Sequence, residues 1–148
     1  MSLRQLRSGD LTDLLRLYEH LHSADTPTPA QDVVQSVWQE LMSNPSYRYY
    51  GAFLDERLVS SCTLTIIPNL TRSCRPYGVI ENVVTHADHR RNGFATALLE
   101  HALAEAWSVQ CYKVMLLTGR KDEATLRFYE AVGFDRNEKQ AFIAKARP

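Results

Sequence analysis

The most constraining part of the sequence is residues 77–107, where a strand pattern passes through a basic loop into a helix pattern. The segment YGVIENVVT is rich in β-branched residues, and its apolar end at Val83 and Val84 is typical of a strand buried on both faces. Apolar residues then recur at helical spacing between residues 95 and 106. A single glycine, Gly93, separates the two patterns, so the segment predicts a strand, a loop and a helix in succession.

The segments before residue 77 predict a strand, two helices and a hairpin. LRQLR alternates like a short strand, and an apolar stripe at helical spacing begins at Leu11. TPAQ predicts the start of a second helix, because Thr28 can cap it and Pro29 suits its first turn. YRYYGAFL and LVSSCTLTII flank the turn DER, which predicts an antiparallel hairpin.

The segments after residue 107 predict a strand, a helix and a last strand. CYKVMLL has the composition of a strand, and DEATLRFYEAV that of a helix capped by Asp122 and ended by Gly133. QAFIAKA is predicted to be the last strand. The order strand, two helices, three strands, helix, strand, helix, strand predicts a mixed α/β sheet. Because the chain has no linker or repeat, we expect a single domain over residues 1–148.

Composition argues against several classes of function. Seventeen basic and seventeen acidic residues give a net charge of zero, so we expect no nucleic-acid or membrane partner. No apolar run approaches the roughly 20 residues of a membrane span, and MSLRQLRSGD lacks the apolar stretch of a signal peptide, which predicts a cytoplasmic protein. The three cysteines, Cys62, Cys74 and Cys111, have no C-x-x-C spacing and predict reduced thiols rather than a disulfide frame or a metal site.

The loop RRNGFAT has the features of a phosphate site. A helix N-terminus exposes unpaired N–H groups and partial positive charge, and a glycine lets a phosphate come close to the backbone. The N–H groups of residues 91–96 could surround a pyrophosphate, with Arg90 or Arg91 adding charge. The alternative is that Gly93 only turns the chain and the arginines are solvated. The loop has neither the G-x-x-x-x-G-K-[ST] nor the G-x-G-x-x-G pattern of other phosphate loops.

Arg90-x-x-Gly93-x-Ala95 after VIENVVT, together with LRFYEAVGF near the C-terminus, resembles the GNAT N-acetyltransferase superfamily, whose signature is [Q/R]-x-x-G-x-[G/A]. The order of elements matches over nearly the whole chain, and the specific motifs lie between residues 80 and 134. The resemblance implies a GNAT-like, mostly antiparallel central sheet flanked by helices. It also implies an enzyme that moves the acetyl group of acetyl-CoA directly to a primary amine. VIENVVT and CYKVMLL are somewhat similar to glucosamine-6-phosphate N-acetyltransferases.

The resemblance further implies how acetyl-CoA is held. The pyrophosphate would bind the N–H groups of the loop, and the pantetheine arm would pair with the backbone of the preceding strand. Asp122 and Thr125 depart from the family pattern N-x-x-A-x-x-[LF]-Y, and an ionised Asp122 cannot donate the hydrogen bond of the usual Asn. The implied cofactor-binding residues are Asn82, Val83, Val84, Thr85, Arg90, Arg91, Asn92, Gly93, Phe94, Ala95, Thr96, Asp122, Thr125 and Phe128.

Two side chains match the proton transfers of acetylation. Tyr129 stands where the family usually has its general acid, and a phenol keeps its proton until the thiolate develops; the alternative is a tyrosine that only packs. Glu81 stands where many members have a base that acts directly or through water. Its apolar neighbours predict partial burial, which strengthens a carboxylate base; the alternative is a salt-bridged or exposed glutamate. For the oxyanion we favour the backbone N–H of Val83 or Val84.

The acceptor stays open among small amines, amino sugars and peptide amines. Arg72 and Arg75 could bind the phosphate of a phosphosugar or be plain surface charge, and TGRKDEATLR departs from the glucosamine-6-phosphate enzymes. A rival interpretation is a non-catalytic CoA-sensing or protein-interaction module on the same scaffold, although Glu81 and Tyr129 favour an enzyme. Because homodimers are frequent in the family, a homodimer is expected, with a sheet edge or QAFIAKA as its contact.

Overall fold

The computed structural model describes residues 1–21 and 29–148, in two compact units, Met1–Leu116 and Leu117–Pro148. The first unit contains a five-stranded sheet whose spatial order follows the chain. Its strands are β1 (Ser2–Gln5), β2 (Tyr47–Leu54), β3 (Arg57–Ile67), β4 (Tyr77–Thr85) and β5 (Val114–Leu116). Neighbours from β1 to β4 are antiparallel, and β4 pairs with β5 in parallel. The predicted mixed, mostly antiparallel fold class is confirmed.

Helices flank this sheet. Those described in the first unit are α1 (Leu11–Tyr18), α2 (Gln31–Ser43), the one-turn α3 (Thr71–Cys74) and α4 (Phe94–Ser108). The apolar faces of α1 and α2 pack on β2 and β3 around Leu14, Trp38 and Phe53, and Leu98 and Leu99 of α4 are fully buried. No helix in the described residues is both long and apolar enough to cross a bilayer. The predicted cap of α2, Thr28, lies outside the described residues.

The hairpin between β2 and β3 forms as predicted. Asp55 and Glu56 make its turn, and both have left-handed φ angles, 48° and 64°. Such two-residue turns match the right-handed twist of the flanking strands. The pairing of β2 with β3 is the longest ladder of the sheet, and β4 continues from it on the other side of β3.

The second unit contains α5 (Glu123–Val132), and both predicted ends of this helix are confirmed. Asp122 caps its start through a hydrogen bond from the Thr125 N–H, and Gly133 ends it with a left-handed φ of 112°. The Arg136 guanidinium donates to the carboxylates of Glu123 and Glu130 at 2.6 to 3.2 Å. These ion pairs hold the segment after the helix against its exposed face.

The predicted last strand is wrong. Residues 139–148, which include QAFIAKA, form neither strand nor helix, and Phe142 and Ile143 are 88% and 68% exposed. The strand predicted from CYKVMLL is also shorter than expected, because only Val114–Leu116 pairs with a neighbour. Alternation of apolar residues becomes a strand only where another strand pairs with the backbone, and a sequence pattern does not reveal that partner.

Candidate active site

β4 is interrupted by a bulge at Asn82. Ser61 pairs with Val84 and Thr63 with Glu81, so two residues of β4, Asn82 and Val83, lie opposite one residue of β3. Asn82 has a left-handed φ of 52°, a conformation that Asn tolerates better than most residues. A bulge leaves its extra residue outside the ladder and re-aims the backbone. The backbone of Asn82 and Val83 therefore lies outside the regular ladder between β3 and β4.

The edge of β4 beyond the bulge is also open on one side. β5 pairs with β4 only at residues 78–80. In the described part of the first unit, no strand pairs with residues 81–85 on that side. A strand edge of this kind presents backbone groups that no neighbouring strand pairs with, and an extended molecule with amide groups can add to it like another strand.

A strained turn leads from β4 into α4. Arg91 and Gly93 both have left-handed φ angles, 63° and 80°. A Cβ added at Gly93 would meet no protein atom within 4 Å, so packing does not require the glycine; its backbone conformation does. No side chain caps α4, and its first turn carries no acidic residue. The N–H groups at the start of α4 therefore keep their partial positive charge without a carboxylate of the same helix.

The two arginines of the loop have different environments. The Arg90 guanidinium donates to the carbonyl oxygens of Thr85 and His20, each at 3.2 Å. It thereby ties the loop to the end of β4 and to the residues after α1. Arg91 is exposed at the turn. Arg90 thus positions the loop, whereas Arg91 is the better placed of the two to offer charge to an anion from solvent.

Glu81, predicted to be partly buried, is exposed, so that expectation is wrong. Strand alternation explains the difference, because Ile80 points into the core with 1% exposure and Glu81 therefore points to the opposite face. The backbone of Glu81 is nevertheless well held, since the Thr63 hydroxyl donates to its carbonyl oxygen at 3.0 Å. Of the two valines that follow, Val84 is buried and Val83 is half-buried, so the expectation of burial on both faces holds fully only for Val84.

The remaining predicted residues lie on α5 in the second unit. Asp122 accepts hydrogen bonds from the N–H and the hydroxyl of Thr125, at 3.1 and 2.8 Å, and from the Arg120 guanidinium at 3.0 Å. The Thr125 hydroxyl is the first cause that lowers the pKa of Asp122, so this carboxylate is ionised at neutral pH and only accepts. The rings of Phe128 and Tyr129 are half-buried neighbours with centroids 4.9 Å apart.

The chain matches the acetyltransferase (GNAT) family over residues 11–134. It belongs to that family. A curated glucosamine 6-phosphate N-acetyltransferase from Trypanosoma brucei brucei is 31% identical over 140 residues, which cover 95% of this chain and 92% of that protein. The structure of a putative acetyltransferase from Agrobacterium tumefaciens is 40% identical, with a TM-score of 0.90 over 98% of this chain and 100% of that one. The structure of a Trypanosoma brucei acetyltransferase is 31% identical, with a TM-score of 0.80 over 97% and 99% of the two chains.

The predicted family and the predicted class of enzyme, an N-acetyltransferase, are confirmed by these matches. Members of the GNAT family use acetyl-CoA as their acetyl donor. The buried cysteines of this member are unsuited to carry an acetyl group, because burial raises the pKa of Cys62 to about 12 and also raises the pKa of Cys111. The prediction that Cys111 is a core residue is confirmed. In residues 1–21 and 29–148 no cluster of His, Cys, Asp or Glu could hold a metal ion.

Two features near the bulge and loop of this GNAT protein were not identified from the sequence: the unpaired hydroxyl of Tyr18 and the packing of His20 on His86. Tyr18 counts as one apolar residue in the stripe of α1, yet its hydroxyl is buried and has no hydrogen-bond partner in the structure. His20 packs its ring against His86 with centroids 4.1 Å apart, and His86 packs against His89 at 5.4 Å. The sole sequence signal for the Tyr18 hydroxyl was a tyrosine in a stripe of leucines. The contact of His20 with His86 joins residues that are far apart in the chain, so no sequence pattern indicated it.

Proposed function

We propose that this protein transfers the acetyl group of acetyl-CoA directly to a primary amine. One observation carries the proposal: the bulge of β4, the open edge of residues 81–85 and the uncapped start of α4 follow one another along the chain. Acetyl-CoA presents a thioester, an arm with amide groups and a pyrophosphate in the same order. The three features offer each part of the molecule a matching set of backbone partners.

In the proposed complex, the N–H groups of residues 91–96 bind the pyrophosphate, and Arg91 adds charge. The pantetheine arm pairs with the backbone of residues 82–85. Arg90 contributes by holding the loop through Thr85 and His20. Contacts of Asp122, Thr125 and Phe128 with the cofactor stay predictions, and any contact of Asp122 is restricted to hydrogen-bond donors because this carboxylate is ionised.

The proposed chemistry begins when the nitrogen lone pair of the neutral amine attacks the thioester carbonyl carbon. A C–N bond forms, and the backbone N–H of Val83 or Val84 stabilises the oxyanion. The C–S bond then breaks, and the departing thiolate takes a proton from Tyr129. The proton lost by the amine goes to Glu81, directly or through water, and the exposure of Glu81 makes the route through water accessible.

Glucosamine 6-phosphate is the acceptor to test first, since the curated Trypanosoma brucei brucei relative is named for it. The Arg75 guanidinium donates to the carbonyl oxygens of Gln110 and Cys111 at 3.1 and 3.2 Å, which fixes its position and leaves its other N–H groups for a phosphate. The Arg72 guanidinium lies 5.7 Å from the Tyr112 ring centroid and is the second candidate. Other small amines, other amino sugars and peptide amines are the alternatives to this acceptor.

Four further expectations stay predictions: one N-acetyltransferase domain over residues 1–148, a cytoplasmic location, a homodimer, and no nucleic-acid or membrane partner. The family match over residues 11–134 includes parts of both compact units, which supports the single domain. The three free cysteines are consistent with the reducing environment of the cytoplasm.

The test is the melting temperature with and without acetyl-CoA, with desulfo-CoA and adenosine 3′,5′-bisphosphate as controls. A ligand at 100 times its dissociation constant stabilises the native state by about 2.7 kcal/mol, which raises the melting temperature measurably. Amines, starting with glucosamine 6-phosphate, are then screened for release of the CoA thiol. A folded protein that ignores acetyl-CoA refutes the proposal. Binding without thiol release for any amine favours the non-catalytic CoA-sensing alternative.

A further inference from the structure

The hydroxyl group of Tyr18 is buried without a partner. Tyr18 is the last residue of α1, a helix that packs on β3 and β4. Its ring lies against the apolar cluster around Leu14 and Trp38, where a phenylalanine would fill the same space. Buried polar groups in native proteins nearly always have hydrogen-bond partners, and one that has none destabilises the fold. The hydroxyl therefore needs a reason other than stability.

The groups that act on this hydroxyl are Tyr49, Cys62 and the side chain of Asn82, the residue at the bulge of β4. Burial is the main cause that raises the pKa of Tyr18, while the Asn82 amide acts in the opposite direction. The two groups are thus close, but their geometry falls short of a hydrogen bond. Because the phenol stays protonated at neutral pH, it can only gain a bond here as a donor to the amide oxygen, or as an acceptor from the amide nitrogen.

We propose that Tyr18 is a positioning residue for the bulge, whose hydroxyl forms a hydrogen bond with the Asn82 amide when acetyl-CoA binds to β4. This inference rests on the proposed function. A ligand that pairs with the backbone beside Asn82 fixes the adjoining peptide, and a small rotation of the Asn82 side chain then completes the bond with Tyr18. The bond in turn holds Asn82 in its left-handed conformation. The unpaired hydroxyl costs the free protein some stability, and the hydrogen bond that it forms in the complex increases the affinity for acetyl-CoA.

The inference predicts opposite effects on stability and on binding. Tyr18→Phe removes an unpaired hydroxyl from the free protein, so its melting temperature should stay the same or rise. The same change should weaken acetyl-CoA binding roughly three- to tenfold, the value of one net hydrogen bond. If Tyr18 only packs, Tyr18→Phe should leave the affinity for acetyl-CoA unchanged.

A double-mutant cycle measured by titration calorimetry tests whether Tyr18 acts through Asn82. Asn82→Gly removes the amide and keeps the left-handed backbone at low cost. In that background Tyr18→Phe should change the affinity for acetyl-CoA less than twofold. Tyr49→Phe is the matched control: Tyr49 packs edge-on against Trp38, its phenol is also partly buried, and it should change the affinity less than twofold.

The outcomes separate this inference from the proposed function. A folded wild-type protein that does not bind acetyl-CoA overturns both. Wild-type binding with an unchanged affinity in Tyr18→Phe, or an equal loss with and without the Asn82 amide, overturns the role of Tyr18 alone. If Asn82→Gly does not fold, the NMR signals of the Asn82 side-chain amide replace the cycle. At saturating acetyl-CoA they should shift further in the wild type than in Tyr18→Phe, and equal shifts in both reject the inference.

Discussion

The N-termini of α4 and α5 differ in whether acidic side chains neutralise their partial positive charge. Both helices expose N–H groups with partial positive charge at their first turn. At α5, Asp122 accepts from Thr125 and Glu123 adds a second carboxylate. At α4, Gly93 provides no side chain and no acidic residue follows. The chain thus neutralises one helix start with its own carboxylates and leaves the other open. The open one lies next to the free edge of β4, where the proposed cofactor site needs it.

The comparison predicts that α5 contributes to catalysis through Tyr129 and that the start of α4 contributes to cofactor binding. Tyr129→Phe tests the role in catalysis. Loss of a general acid should lower kcat by about 100-fold or more, because such groups contribute 10²- to 10⁴-fold. The affinity for acetyl-CoA should stay within a factor of two, since the proposed pyrophosphate site is on α4. Steady-state kinetics and calorimetry measure the two effects. An unchanged kcat would remove Tyr129 from the mechanism.

Gly93→Val tests the open helix start directly. A β-branched side chain at a φ of 80° is strained, and it would occupy the space beside the N–H groups. We expect acetyl-CoA to bind about 10- to 100-fold more weakly while the circular dichroism spectrum is retained. Gly133→Val is the control, because Gly133 is also left-handed but ends α5. Equal affinities in the wild type and Gly93→Val would contradict the pyrophosphate assignment.

Glu81→Gln tests whether Glu81 is the base that accepts the proton of the amine. Because Glu81 is exposed, water can replace it in part, and we expect kcat/KM to fall about tenfold at neutral pH. The loss should shrink at alkaline pH, where hydroxide and the neutral amine become more abundant. Rates measured between pH 6 and pH 10 for both proteins test this. A ratio that does not depend on pH would count against Glu81 as the base.

Asp122→Ala should have the smallest effect, a loss of stability, and it tests the capped N-terminus of α5. Loss of the cap should lower the melting temperature by a few degrees at neutral pH. The pKa of Asp122 is lower in the folded than in the unfolded protein, so its contribution is complete above the ordinary pKa. The difference between the two proteins should therefore fade as the pH falls below about 4. Asp122→Asn keeps a capping oxygen and should retain most of the stability. A difference that persists at low pH would contradict the cap.

Local chemistry made several features predictable. Gly93 and Gly133 fall where a left-handed backbone is needed, Asp122 falls where a helix needs a cap, and the β2 and β3 segments flank a short turn. Each depends on residues close to one another in the chain. The exposure of Glu81 was not predictable in this way, because it depends on which face of β4 other segments cover. The structure of QAFIAKA was not predictable either, because its alternating pattern forms a strand only where another strand pairs with it, and none does in the described residues.

The strand and helix around Gly93 and both ends of α5 were predictable from residue order alone, since they follow from short-range periodicity and backbone preferences. The family and the enzyme class came from the resemblance of the motifs between residues 80 and 134 to the GNAT superfamily. The bulge at Asn82, the anchoring of Arg90 and the unpaired hydroxyl of Tyr18 came from the folded structure. Each of them depends on the register of β4 against β3 or on the contact of α1 with β4. Such relations join residues far apart in the chain, and no local pattern encodes them.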